Sequence, residues 1–534
     1  MMQKLYTLAL ALCLATAAAA QTVTVPPNLN NDNGFVYTEL IDFIESDTSA
    51  TGDQLHDVYL LEAGGLYFFK EKAEWDFDVT LRATGDVATF GRPVVDRINV
   101  TGGTSLGRIY EGFGSITFDG LYMVLGEEGP DAAAYETSPI RPRGDNQRYV
   151  FNDCVVLKSR QGTMRIEGMN AVAVLTNNHI YNFGDYEKQQ GNGRLVDPRT
   201  NFIDSVIIRN NYVHNILDRL YIGLRSPGGG YFDFSNNTVF NHVGRHGLIQ
   251  LGYMQESHIN DNIFYNTQVL GTSEEFANEQ ITYKDQVIYM FSIDTMGAGF
   301  SAEMRNNAIH WSPEVQAMWA SVDGLDPAQT ISPELATMIG DTSNSIIRTE
   351  IQLGNVPAVG PIVDYARESF LYPDSTGITD IMVEDPRYVA LPGNAGYDNG
   401  YLFDFSTFDP CLAEGSPLRT ASTGGGGVGA TWLCDYASSG VRDVNYNVDL
   451  GLAVRPNPVD ATASLSFRTR ASGLAELKVY DFNGKLMRTL HEGFLAAGEH
   501  RFDVDGLGEL ANGMYFVNLR TPEGRMFRRL NVQH

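Results

Sequence analysis

The 534-residue chain predicts an all-β protein, a right-handed parallel β-helix followed by a small C-terminal β-sandwich. Three observations point there. A short phrase of two polar residues, alternating apolar positions and a closing Asn returns through the middle of the chain. The segments around it alternate Val, Ile, Phe and Tyr at period two, between Asn and Gly turns. Residues 450–534 hold several short alternating strands joined by Gly turns.

The copies are LTNNHIYN around Asn178, IRNNYVHN around Asn211, FSNNTVFN around Asn237, INDNIFYN around Asn262 and MRNNAIHW around Asn307. Asn182, Asn215, Asn241 and Asn266 close the phrase, and Trp311 replaces the Asn in the last copy. VFNDCVVLK fits one coil earlier, with Asp153 in the ladder position. The steps from Asp153 onward are roughly 25, 33, 26 and 25 residues, so one coil carries an insertion of about 8, and a longer loop precedes Asn307. Helical repeats of this length need apolar residues at helical spacing, which these segments lack. In a β-helix each coil buries its inward side chains on the coil below. A buried Asn at the turn can hydrogen-bond its equivalent and the backbone of the next coil, so these Asn residues specify the fold and are not catalytic.

Residues 1–20, MMQKLYTLALALCLATAAAA, have a Lys, a short apolar run and an Ala-rich cleavage region, the pattern of a secretory signal peptide. No later stretch is long and apolar enough for a membrane span. Residues 21–435 form the solenoid. NGFVYTELIDFIESD has apolar residues at helical spacing and supplies a cap for the open first coil. SPEVQAMWASVDGLDPAQTISPELATMIGD reads as a helical excursion with two Ser-Pro starts. Coils resume at IIRTEIQL and end near GSPLRTASTGGGGVGATWL, with Trp432 buried after the glycines. A linker occupies 436–449. Cys154 looks inward as packing, and Cys411 and Cys434 can pair in an oxidising compartment.

The order LAVRPNPV, then LKVYDFNGKLMRTL, then NGMYFVNLRTPEGRMFRRLNV closely resembles the C-terminal sorting domain of the type IX secretion system. The resemblance covers about 80 residues. It implies the type IX machinery as a partner, a Bacteroidetes-like bacterium and a destination outside the cell or on its surface.

Charge divides at the same boundary. Residues 450–534 carry 11 basic and 9 acidic side chains, and the mature region before them is roughly −30. Such a surface repels nucleic acid and anionic membranes, so an acidic polymer is bound only in a locally basic groove or through cations. The chain is expected to act as a monomer.

The strands after each Asn phrase read in parallel as GTMRIEG, GRLVDPR, DRLYIGLR, RHGLIQLG and VIYMFSID. In DRLYIGLR the apolar Leu220, Ile222 and Leu224 alternate, which turns Arg219, Tyr221 and Arg225 outward. The same rule turns out His246 and Gln250 one coil later and Arg165 and Glu167 two coils earlier. Arg194 begins the strand between, and Tyr289 extends the row. Stacked Arg, His and Tyr suit cleavage of a uronate glycan by β-elimination, which neutralises a carboxylate, removes the adjacent proton and protonates the leaving oxygen. Arg219, Arg245 and Arg194 are the expected carboxylate clamp, His246 the base, Tyr221 the acid and Lys158 a second base. Arg165, Arg194, Arg225, Gln250 and Tyr289 are the expected substrate contacts. Glu167, Asp197 and Asp204 are the carboxylates available to a Ca²⁺ ion, without a recognisable metal spacing.

The coil phrase, the N-terminal entry and the Gly-rich close also resemble the secreted β-helix proteins of pectate lyase type that include alginate lyases and chondroitinase B. In those lyases a Lys and an Arg on neighbouring coils act beside a calcium held by acidic residues. The resemblance implies Lys158, followed by Ser159, for the Lys and Arg219 or Arg245 for the Arg. Here Lys158 stands in the strand of the Asn phrase, not the strand after it. The expected function is a polysaccharide lyase on an acidic glycan; the alternative is a noncatalytic glycan-binding or adhesive β-helix. A hydrolase with clustered Asp residues fits a basic row less well.

Overall fold

A computed structural model describes residues 21–27, 29–31, 34–36, 40–69, 71–97, 108–125, 139–159, 161–184, 193–244, 246–273, 288–294, 297, 299–371, 388–389, 402–403, 408–434, 436, 452–457, 459, 462–469, 473–481, 486–496, 498–504, 510–521 and 524–533. The signal peptide at 1–20, Arg245 and the linker residues 437–449 lie outside the described residues. The chain divides into two compact units, residues 1–436 and 437–534.

Among the described residues the first unit is a parallel β-helix built on three long sheets. Sheet I has ten strands, from Thr22–Val25 through Arg148–Asn152, Ala171–Thr176, Ile203–Arg209, Gly229–Ser235 and Met254–Asn260 to Ser301–Arg305. Sheet II also has ten, from Leu66–Phe69 through Val155–Leu157, His179–Phe183, Tyr212–Ile216, Thr238–His242 and Ile263–Tyr265 to Ile346–Arg348. Sheet III has six, Gly162–Ile166, Arg194–Pro198, Tyr221–Ile222, Ile249–Gln250, Tyr289–Ser292 and Gln329–Ile331. All pair in parallel with the equivalent strand of the next coil, so inward side chains stack in columns. One column runs Met164, Val196, Tyr221, Ile249, Phe291, all in the main core.

The repeated phrase meets three separate demands. Its first polar residue takes a left-handed backbone, with φ of 59° at Asn177, 57° at Asn210, 57° at Asn236, 57° at Asp261 and 52° at Asn306; Asn and Asp tolerate this conformation best among residues with a side chain. The second residue is the buried ladder. Asn178 donates through its backbone N and Nδ2 to Asn211 Oδ1, both at 2.9 Å, and Asn211 donates likewise to Asn237 at 3.0 and 2.9 Å. The series continues through Asn262 to Asn307, and each Nδ2 also reaches a backbone carbonyl. The closing Asn is a second left-handed corner, at Asn182, Asn215, Asn241 and Asn266. One coil earlier the register corrects the reading by one residue: Cys154 donates its N to Asn178 Oδ1 at 2.8 Å and holds the ladder place, whereas Asp153 is the left-handed residue with φ 52°. Lys158, φ 61°, therefore occupies the corner of a closing Asn.

The helix Leu40–Ser46 buries Leu40, Ile41 and Ile44 in the core beside Val25 and Tyr59, which covers the first coil as expected. At the other end Trp311 ends the pattern. Its Nε1 donates to Thr267 O at 2.6 Å, and the chain leaves the coil through the helix Pro313–Ser321. This helix and Pro333–Ile339 both begin at the expected Ser-Pro steps. The helix Gly360–Leu371 packs Ile362 and Ala366 into one cluster with Val315, Met318 and Trp319.

The expected last coil at the glycine-rich segment is corrected. Ile346–Arg348 is the last strand of sheet II, and residues 408–434 run back over the outside of that sheet as a strap. Thr423 N donates to Asp261 Oδ1 at 2.8 Å, Gly429 N to Asp261 O at 2.8 Å and Ala430 N to Thr238 Oγ1 at 3.0 Å. Tyr212 Oη donates to Ala430 O at 2.7 Å. The reason lies in the outward row of sheet II, where Tyr122, Val155, Leu157, Tyr181 and Phe240 form an apolar surface that Phe408 helps to bury. Trp432 is half-buried on Tyr212 rather than fully buried. A disulfide joins Cys411 to Cys434, with Cα atoms 5.4 Å apart, and Cys154 is buried with its thiol pushed up to about 12 by desolvation.

The second unit pairs Ala453–Arg455, Ala463–Thr469 and Gly498–Val504 in one antiparallel sheet. A four-stranded antiparallel sheet completes it. Leu465, Phe467, Leu477, Val479, Val517 and Leu519 share its core, the small sandwich expected from the alternation. Among the described residues no helix is long and apolar enough to cross a membrane.

Candidate functional site

Sheet III carries the charge. At its centre Asp218, just before the strand Tyr221–Ile222, is buried among two guanidinium groups and an imidazole. Arg194 Nε lies 3.3 Å from Oδ2, Arg219 Nε 3.2 Å from Oδ2, and His246 Nδ1 2.8 Å from Oδ1. Burial raises the Asp218 pKa, but Arg219, His246 and Arg194 outweigh it and hold the carboxyl well below the usual range. The ionised Asp218 accepts the Nδ1–H of His246 and so fixes the orientation of the ring. His246 is the member of this trio that reaches solvent, its side chain 14% exposed. Gln250 fixes it from below: Nε2 donates to His246 O at 2.7 Å, and Oε1 accepts from Arg219 Nη1 at 2.9 Å.

One coil toward the N-terminus, Asp197 gathers Arg194 at 3.1 Å, Arg199 at 2.7 Å and Arg225 at 3.3 Å. Arg225 is the more open of these, and desolvation together with Arg194 pushes its pKa down to about 10 against the pull of Asp197. Arg165 and Arg219 are lowered for the same reasons, desolvation first and neighbouring guanidinium groups next. Cations crowded beyond what their carboxylates neutralise are a place for an anion.

The geometry gathers Arg194, Arg219, Arg225, His246 and Gln250 around Asp218 and Asp197, and puts Arg165 beside Glu167 at 3.4 Å two coils from Arg219. Tyr289 is half-buried one coil beyond Gln250, paired with Gln329. Tyr221 is corrected. It is 1% exposed, packs on Phe232 at 4.7 Å between ring centroids and points into the core. The alternation fails there because Leu220 and Tyr221 both face inward at a bend: Leu195 N and Val196 N both donate to Leu220 O. Ile222, in register with Gln250, then takes the place in the row expected of Tyr221.

Lys158 is corrected in place as well. It is buried at the corner of sheets II and III, in the coil of Arg165, three coils and about 14 Å along the axis from His246. Glu167, Asp197 and Asp204 do not converge. Arg141 takes Glu167 at 2.7 Å, Asp197 is ringed by Arg residues, and Asp204 is an exposed residue of sheet I bonded to Ser205. Among the described residues no group of three or more His, Cys, Asp or Glu side chains is placed to hold a metal ion.

The outward row read from the sequence does not include Asp218, Arg199, Arg141 or Glu111. The signal for Arg199 was present in the DPR of GRLVDPR, since Asp197 falls in register with Arg165 of the previous coil.

Behind the site lies a buried histidine. His242 donates Nε2–H to Asp218 O, accepts Gln268 N–H at Nδ1 at 3.2 Å, and desolvation pushes its pKa down to about 4.

No curated protein matches the chain. Residues 453–533 match the family model of the secretion system C-terminal sorting domain. They are a type IX sorting domain, and the chain is one that this secretion route delivers to the exterior or the cell surface.

Proposed function

We propose that the solenoid is a polysaccharide lyase that cleaves an acidic, uronate-containing glycan by β-elimination on the sheet III face. The observation that carries the reading is His246, oriented by a buried Asp218, at the rim of arginines that outnumber their carboxylates. Arg225 and Arg199 are open enough to meet the sugar carboxylate, while the buried Arg194 and Arg219 hold Asp218 ionised. His246 Nε2 takes the proton next to the carboxylate, the bond to the leaving oxygen breaks, and a carbon–carbon double bond forms in the ring. With Tyr221 in the core, His246 returns the same proton to the leaving oxygen, which requires proton and oxygen on one face of the sugar. Lys158 stands too far along the axis to share that sugar.

A noncatalytic glycan-binding role is the second reading, favoured by the burial of Arg194 and Arg219 in paired lattices. The test is to incubate the exported chain with alginate, pectate and chondroitin, with and without Ca²⁺, and follow the far-ultraviolet absorbance of unsaturated product. Product from one polymer supports the lyase; binding with no product from any of them rejects it.

A further inference from the structure

Sheet III does not begin at Gly162–Ile166. Its inward column continues toward the N-terminal cap through parallel bridges that link Met164 to Ile140, Ile140 to Tyr110 and Tyr110 to Ala73. The charged pattern continues with it. Glu111, buried, faces Lys72 at 3.0 Å, Arg108 and Arg143; Glu167 faces Arg141, Arg143 and Arg165. From Ala73 to Ile249 there are seven coils, about 29 Å of axis, along which Glu111, Glu167, Asp197 and Asp218 each meet three basic side chains. This lies on a chain whose formal charge is −27.

A second row borders the first. At the corner that follows sheet III, Phe113, Met169 and Tyr253 are 52%, 44% and 40% exposed; Phe77, one coil before Phe113, and Phe202, between the coils of Met169 and Tyr253, are half-buried. Their backbones stack coil on coil: Phe113 N donates to Trp75 O, Asn170 N to Phe202 O and Gly229 N to Tyr253 O. Gly144 and Gly168 permit this closeness, since a Cβ at either would collide with the carbonyl of the coil below. Apolar side chains at this corner on five of the seven coils, beside a cationic line, are the two halves of a surface for acidic sugars, rings on the apolar ledge and carboxylates on the guanidinium groups.

We infer that the glycan lies parallel to the solenoid axis on this track, one acidic sugar to a coil, from His246 back to the coil of Lys72. The inference rests on the acidic-glycan reading and extends it to a ligand of about six or seven sugars. The coil repeat of about 4.8 Å is close to the length of one linked pyranose, so charge and sugar stay in step.

The test uses the full chain carrying His246→Ala, which binds without turnover. Labelled oligogalacturonates and alginate oligomers from dimer to octamer are titrated, with a neutral glucan series and a single-stranded oligonucleotide beside them. Affinity is expected to climb with length to the hexamer or heptamer and then level. Phe113→Ser and Arg143→Gln, some 20 Å or more from His246, are each expected to weaken the hexamer about tenfold and the dimer much less. Arg143 is 42% exposed, and Glu111 keeps Lys72 and Arg108 without it, while Phe113→Ser removes no charge. Length-independent affinity, no binding of any uronate, indifference to both substitutions, or equal binding of the oligonucleotide overturns the track. Absence of product from the wild-type chain would reject the lyase reading and leave this binding test standing.

Discussion

Two polar ladders run along the same solenoid, and they are built in opposite ways. At the corner of sheets I and II, Asn178, Asn211, Asn237, Asn262 and Asn307 form a neutral, fully buried chain in which each amide serves the next. On sheet III, Asp218 and Asp197 sit under arginines that they do not balance, and a histidine reaches solvent. A neutral, internally satisfied ladder has nothing left to offer a ligand. A lattice with surplus cations and an oriented imidazole has. Repetition therefore marks the scaffold, and departure from neutrality marks the working face.

Substitutions can break that contrast, the largest effect first. Asp218→Ala removes the one anion shared by Arg194, Arg219 and His246 and leaves two buried guanidinium groups short of a partner. It is expected to cost about 4 kcal/mol in denaturant unfolding and to abolish function. Asn211→Ala removes two donors and the acceptor used by Asn178, for about 3 kcal/mol, with unchanged activity in the fraction that remains folded. An equal loss of specific activity from both would erase the distinction.

Acid separates the two ladders as well. His242 has a folded pKa of about 4, below its ordinary value near 6.5, because desolvation favours the neutral ring. Its contribution is present above about pH 6.5 and is lost as pH falls toward 4, where the unfolded chain takes the proton and the folded chain does not. Up to about 3 kcal/mol is expected to disappear across that window, and His242→Gln should flatten it. Asp218, whose pKa is depressed, adds its loss only below the ordinary carboxylate range near pH 4, as pH falls toward the folded value. A slope between pH 4 and 6.5 that survives His242→Gln would place the proton uptake elsewhere.

The smallest change is the sharpest on orientation. Tyr221→Phe keeps the ring on Phe232 and is expected to alter stability by less than about 1 kcal/mol and leave turnover unchanged. A large loss of rate would return Tyr221 to the proton chemistry.

The coils were legible because their signals are local. Period-two apolar residues and the Asn phrase each report one coil, and the left-handed first and third positions explain why Asn recurs where Ser or Thr would not serve. The sorting domain was legible for the same reason, as an ordered set of short motifs. Three things escaped. Cys154 took the ladder place from Asp153 because register in a degenerate copy shifts by one residue without changing the pattern. Tyr221 was turned inward by a bend at Leu220, which breaks strict alternation and leaves no trace in composition. The strap at 408–434 looked like a coil because it is glycine-rich and apolar, yet its partners Tyr212, Thr238 and Asp261 lie far away in sequence. The arginines were visible; their sharing of Asp218 and Asp197 required the stacking of coils.

Release of unsaturated product from uronate polymers, measured for the wild-type chain and His246→Ala alongside their melting temperatures, bears on the working face most directly. Removing the imidazole leaves Asp218 with Arg194 and Arg219, so the melting temperature should barely move while the rate falls by about a thousandfold. Equal rates from the two proteins, or a collapse of the fold without His246, would contradict the assignment of this face.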